Sequence, residues 1–177
     1  MKIKTFASQF DGATLVGRKV MGYSPDRYRA SLLLERGEAL SLSAEEHSAG
    51  HWFEVFTLQA EADSHKRAWI LFPEPLQVES SVSLWRTEWL EEGASMPTLG
   101  ANPKTQYAGR GPVPEDATAV ARVQAGLILH CSNGHAIFAV ASATSPFGVE
   151  ISIDQQEILK LLDDFEMIER ATPTQTD

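Results

Sequence analysis

The chain has 177 residues, with 15 Lys and Arg against 24 Asp and Glu, and a net charge of -9 with neutral histidine. Its apolar fraction of 43% is too high for a disordered chain, and 12 glycines and 9 prolines are too few for a fibrous or low-complexity one. A single cysteine makes no internal disulfide and no Cys-rich zinc site, and the acidic balance argues against wide contact with nucleic-acid phosphate or anionic lipid. No stretch approaches the roughly 20 apolar residues of a membrane helix. The opening MKIKTFASQFDG holds no apolar run of signal-peptide length, so a cytoplasmic protein is expected.

Charge is unevenly spread. Residues 1–36 carry seven basic and three acidic groups, whereas residues 150–177 carry eight acidic and two basic ones. Such runs are ordinarily solvated faces, and attraction between the two ends is the plain explanation. The sharper one is an acidic docking surface for a basic protein partner.

In chain order, residues 1–22 read as one or two short strands, punctuated by Gly12, and Tyr23 to Asp26 as a turn. Tyr28 to Leu34 alternates with period two and predicts a strand. Glu35 to Glu38 is a tight hairpin, and Ala39 to Ser43 is the returning strand. Ala44 to His51 is polar and reads as a loop. Trp52 to Ala60 is a strand with apolar residues on both faces, the mark of one buried on one side and partly covered on the other. Ala68 to Phe72 forms a further strand, closed by Pro73 and Pro75. Gln77 to Leu90 is the longest strand, its VESSVS content favouring extended backbone over helix.

Residues 93–116 hold eight Gly or Pro in 24 positions and read as a long loop, a feature that in compact domains is functional or mobile. Strands follow over Thr118 to Cys131 and His135 to Ser142, joined at Asn133-Gly134, a strong hairpin signal. After a turn at Ser145 to Gly148, the residues Val149, Ile151 and Ile153 mark a last strand. Asp154 with Glu157 three residues on is a capping-box pattern. Ile158, Leu161, Leu162, Phe165 and Ile168 then form one apolar stripe of an amphipathic helix.

The two hairpins echo each other. Leu32 and Leu34 align with Leu127 and Leu129 at a spacing of 95, the hairpin glycines Gly37 and Gly134 at 97, and Phe56 and Leu58 with Ile151 and Ile153 at 95. Two related three-stranded meanders over residues 28–60 and 120–154 are the physical reading. Any two meanders share alternating Leu and Ile and a hairpin glycine, so one match is weak beside a many-copy repeat. The expected fold is mainly β, α+β at the margin: antiparallel sheets in a sandwich or partly open barrel plus one C-terminal helix. It forms a single compact domain over residues 1–170, with a frayed tail at 171–177.

The chemistry-bearing residues make no catalytic set. His130, Cys131 and His135 straddle the Asn-Gly turn and would be the centre of any metal or thiol enzyme, but no HExxH or paired CxxC accompanies them. A free cysteine in an apolar strand is usually inert, and there is no GxSxG or Ser-x-x-Lys. Gly109 to Pro112 is too short for a phosphate cradle and opens no helix. The expectation is therefore a non-enzymatic protein without cofactor or bound metal, which binds another protein as an inhibitor or immunity-type partner would. The alternative is an apolar small-molecule carrier. Large aromatics and exposed charges supply the contact candidates: Trp85, Trp89, Tyr107, Arg110, Asp163, Asp164 and Glu166. Exposed strand edges would favour an oligomer.

Overall fold

A computed structural model describes residues 3–26, 29–50, 53–91, 105–108, 113, 115, 117–141, 148–163 and 165–169. Alternating and β-branched residues dominate these segments, and they form eleven strands and one helix: β1 (Ile3–Phe6), β2 (Lys19–Pro25), β3 (Ala30–Leu34), β4 (Ala39–Gly50), β5 (Phe53–Ala62), β6 (Ile70–Glu91), β7 (Thr105–Ala108), β8 (Ala117–Cys131), β9 (Ala136–Ala141), β10 (Val149–Ser152), α1 (Gln155–Leu162) and β11 (Glu166–Glu169). One sheet runs in the order β10-β9-β8-β6-β2-β3-β4-β5, with β1 added to β8 and with β7 and β11 added to β6. Every pairing is antiparallel except that of β1, which runs parallel to β8. The sheet folds over so that β5 lies against β8, and its two ends, β5 and β10, do not pair, leaving an open barrel.

The sheet order is symmetric about its middle. One half is β2-β3-β4-β5 and the other is β6-β8-β9-β10, each a four-stranded meander, joined where Lys19 pairs with Gln77. The halves correspond in detail. Both hairpins are 3-10 turns whose second and third residues have positive φ, Arg36 and Gly37 in one and Asn133 and Gly134 in the other. Both close with the same bond, Leu34 N to Glu38 O at 2.7 Å and Cys131 N to His135 O at 2.8 Å. The first turn residue reaches back to the strand entering each half: Lys19 N donates to Glu35 Oε2 at 2.8 Å, and Gln77 N to Ser132 Oγ at 3.1 Å. Each entering strand shifts register at the same place, between Val20 and Gly22 opposite Leu34 and Leu33, and between Val78 and Ser80 opposite Cys131 and His130.

This register revises the sequence alignment. Leu32 pairs with Leu40 as Leu129 pairs with Ile137, so the spacing is 97 through the whole hairpin, and the two turns are equally long. Leu42 pairs with Ala60 as Ala139 pairs with Ile151, so the last strand matches at a spacing of 91 and the loop before it is six residues shorter. The largest core cluster follows the same rule. Val20 and Val78, Leu32 and Leu129, Leu34 and Cys131, and Leu58 and Val149 are equivalent pairs within it.

A second cluster lies on the other face of the second half. Ile128, Ala136, Phe138 and Val140 pack with Val82 and Leu84 under Ile158 of α1, backed by Leu161, Leu162 and Phe165. Both faces of β9 are thereby covered, which is why Ala136 to Ala141 is apolar at every position.

Several expected boundaries move. The polar stretch Ala44 to Gly50 is the second half of β4, because its pairing with β5 satisfies the backbone whatever the side chains. Pro73 and Pro75 do not end a strand: β6 runs past both, where its register with β2 slips between Leu76 and Leu71 and no ladder N–H is needed. A strand, β7, lies inside the Gly/Pro-rich segment. The helix stops at Leu162, so Phe165 follows it and Ile168 belongs to β11. Asp154 caps α1, accepting from Gln156 N and Glu157 N. Glu157 does not close the box, because its carboxylate accepts instead from Ser152 Oγ at 2.6 Å.

Candidate functional site

The last third of β6 gathers most of the residues singled out from sequence. Register places Glu166 opposite Trp85, Tyr107 opposite Glu88, and Gln106 opposite Trp89. Arg122 lies over the Trp85 ring at 4.7 Å from its centroid and donates to Glu166 at 3.0 Å. Trp85 and Trp89 are only 8% and 5% exposed, so in this fold they are wall residues rather than surface anchors. Asp163 is exposed just after α1. Arg110 and Asp164 lie outside the described residues, as does most of 93–116.

Between the two tryptophans stands a pair that the sequence reading passed over. Arg86 and Glu88, two apart on a strand, share a face with Val123 and Ala121, and both are buried, at 9% and 1% exposure. Arg86 Nε donates to Glu88 Oε1 at 2.6 Å, and Arg86 Nη2 crosses β8 to reach Ala141 O at 3.0 Å. Burial pushes the Glu88 carboxyl above its ordinary pKa, and the Arg86 guanidinium offsets this only in part. Glu88 Oε2 and Trp89 Nε1 have no hydrogen-bond partner among the described residues. The available signal was the pattern Trp-Arg-Thr-Glu-Trp, in which period two puts the two charges on one side and the two indoles on the other.

A chain of polar side chains crosses the gap between the sheet layers nearby. Gln124 donates to Ser83 Oγ at 3.3 Å and accepts from Ser8 N at 3.1 Å. Ser8 Oγ donates to Leu58 O and lies 3.4 Å from Gln59 Oε1. Gln59 Nε2 donates to Thr57 Oγ1 at 3.1 Å, which shares a 2.7 Å hydrogen bond with His47 Nε2. This chain ties the segment after β1 to both layers and satisfies groups that burial would otherwise penalise.

The thiol and histidine grouping is dispersed. Cys131 is buried in the main core, while His130 and His135 are exposed. Burial, with a smaller contribution from the Glu79 charge, raises the Cys131 thiol to about 11, far from a thiolate nucleophile at neutral pH. Among the described residues no three His, Cys, Asp or Glu side chains are placed to hold a metal ion, and no helix is long and apolar enough to cross a membrane. A cleft of about 440 Å³ opens between the 3-10 turn Gly12–Leu15 and the first hairpin. No family model, curated protein or solved structure matches this chain.

Proposed function

We propose that the chain is a non-enzymatic binding protein that meets a basic protein partner through its acidic C-terminal face. One observation carries the reading. Within residues 154–167, Leu159 and Met167 are 61% and 56% exposed, and Asp154, Glu157, Asp163 and Glu166 are exposed as well. Two large apolar side chains left in water on an acidic stretch of chain supply the residue types of an interface, apolar anchors and charge. The accompanying basic side chains are Lys160 on the helix and Arg122 beside Glu166. The apolar-carrier alternative draws no support from Trp85 and Trp89, which pack within the wall.

The test is capture of partners from the native cell lysate by the tagged full chain, at low and high salt, beside the doubly substituted Leu159→Ser, Met167→Ser chain. The reading expects a basic protein held at low salt, released at high salt and lost from the double variant. No partner at low salt, or a partner held equally by the variant, refutes it.

A further inference from the structure

The cleft beside the first hairpin has an apolar floor and a charged rim. Phe10, Leu15, Leu34 and Leu40 form the floor, where the main core comes to the surface, and the exposed Ala62 stands at its edge. At the rim, Arg18 is held between two carboxylates, Nε to Glu35 Oε1 at 2.5 Å and Nη2 to Glu38 Oε2 at 2.5 Å. The second oxygen of Glu35 is taken by Lys19 N. The Glu38 side chain is more than half exposed, and Arg18 engages only one of its oxygens. One guanidinium therefore faces two carboxylates, of which Glu38 lines the cleft and keeps an oxygen that Arg18 does not engage. Asp63, also at the cleft, is consumed by Arg67, Ser31 and His65 N.

The other half of the molecule shows that the fold does not require these charges. The positions equivalent to Arg18, Glu35 and Glu38 are Leu76, Ser132 and His135. The second hairpin has the same turn and the same closing bond, and Ser132 Oγ supplies the strand cap that Glu35 supplies in the first. A carboxylate with a free oxygen above an apolar cleft is thus an addition of the first half, not part of the scaffold.

We infer that this cleft binds a small organic cation, an apolar body carrying one ammonium group, with the body on the Leu15 and Leu40 floor and the ammonium on the free oxygen of Glu38. The volume lies within the range of small-molecule sites. An anion is disfavoured, because it would have to displace Glu35 or Glu38 from Arg18. The site is distinct from the C-terminal face, so it stands or falls apart from the proposed function.

The test is titration of the isotope-labelled full chain with hexylammonium chloride, followed by nuclear magnetic resonance, with hexanoate and 1-hexanol as matched probes. A six-carbon probe is expected to bind in roughly the millimolar range. Shifts should centre on Phe10, Leu15 and Leu40, and binding should exceed that of either matched probe. Glu38→Gln should weaken hexylammonium by about two- to fivefold, as expected for an exposed ion pair, and leave hexanol unchanged. Ala62→Trp, which fills the cleft from its exposed edge, should abolish binding of both, with the spectrum elsewhere showing that each variant is folded. The inference is overturned if hexylammonium binds nowhere or elsewhere, if hexanoate or hexanol binds as tightly, or if either variant titrates like the parent chain.

Discussion

Replacing Glu88 by alanine should be among the costliest single substitutions in the molecule. The carboxylate holds Arg86 Nε at 2.6 Å, and the other contact of the guanidinium is the carbonyl of Ala141 at 3.0 Å. At 9% exposure, Arg86 has little water to turn to, so Glu88→Ala leaves a buried cation with one neutral partner. Breaking one side of a buried pair costs about 3–5 kcal/mol, a fifth or more of the roughly 5–15 kcal/mol of a typical domain. Glu88→Gln keeps an acceptor for Nε and should cost less, about 1–3 kcal/mol. The doubly substituted Arg86→Met, Glu88→Met chain removes both charges at similar volume and should recover most of the loss. Urea unfolding followed by tryptophan fluorescence measures all three. A Glu88→Ala cost below about 1 kcal/mol, or a double variant no better than the single one, would refute the argument that the pair is desolvated. The pH dependence has a defined sign. The native state keeps the Glu88 proton to higher pH than the unfolded chain, whose carboxyl titrates near 4.5. Stability from this group is therefore full below that value and falls as pH rises through the raised native pKa, and Glu88→Gln should flatten that slope.

Asp63 has the opposite sign. Burial alone would raise its pKa, but His65 N–H, Arg67 and the Ser31 hydroxyl hold it at about 2, so its contribution is present above the ordinary 3.8 and lost as acid approaches 2. Asp63→Asn should remove that acid-limb dependence in unfolding curves measured between pH 4 and pH 2. The Cys131 thiol, buried and raised to about 11, should resist a disulfide reagent at pH 8 in the native chain and react promptly in urea. A Cβ at Gly22 would lie 2.5 Å from Ile70 O in the central β2–β6 pairing, so Gly22→Ala should lower the unfolding midpoint, while an alanine exchange at the exposed Ser48 should not.

Period-two alternation was enough to find most strands, because one face of a strand is usually buried and the other wet. It failed where that condition fails. Ala44 to Gly50 carries Glu45, Glu46 and His47, yet pairs with β5 across one register shift, since this part of the strand is held by its ladder rather than by alternating apolar side chains. The helix was overextended because Phe165 and Ile168 fall in helical phase by coincidence. Phe165 meets Phe138 edge-on at a centroid distance of 6.1 Å after the chain has left the helix, and Ile168 belongs to a strand paired with β6. The candidate site was legible only in part. Trp85, Trp89, Tyr107 and Glu166 are brought to one strand segment by pairings between residues up to 81 apart in sequence, which no local pattern reports. Arg86 and Glu88 were hidden by the rule that charges are solvated, and it is their mutual pairing that allows both to be buried.

The correspondence between the halves turns a description of the fold into a way of separating scaffold from function. What both halves share is what a four-stranded meander needs: the positive-φ turn, the register shift after Val20 and Val78, and the aspartate that ends each half, Asp63 accepting from His65 N and Asp154 from Gln156 N. What only one half has must answer to something else. The second half adds α1 over the outer face of β8 and β9, and with it the exposed Leu159 and the exposed Glu157 and Asp163. The first half adds Arg18 and Glu38 at the rim of an open cleft, with Glu35 on the far side of the guanidinium contact. Both additions bring carboxylates to the surface, and neither is called for by the backbone geometry beneath it. A net charge of -9 is thus not a uniform property of this chain but is concentrated in part where each half departs from its counterpart.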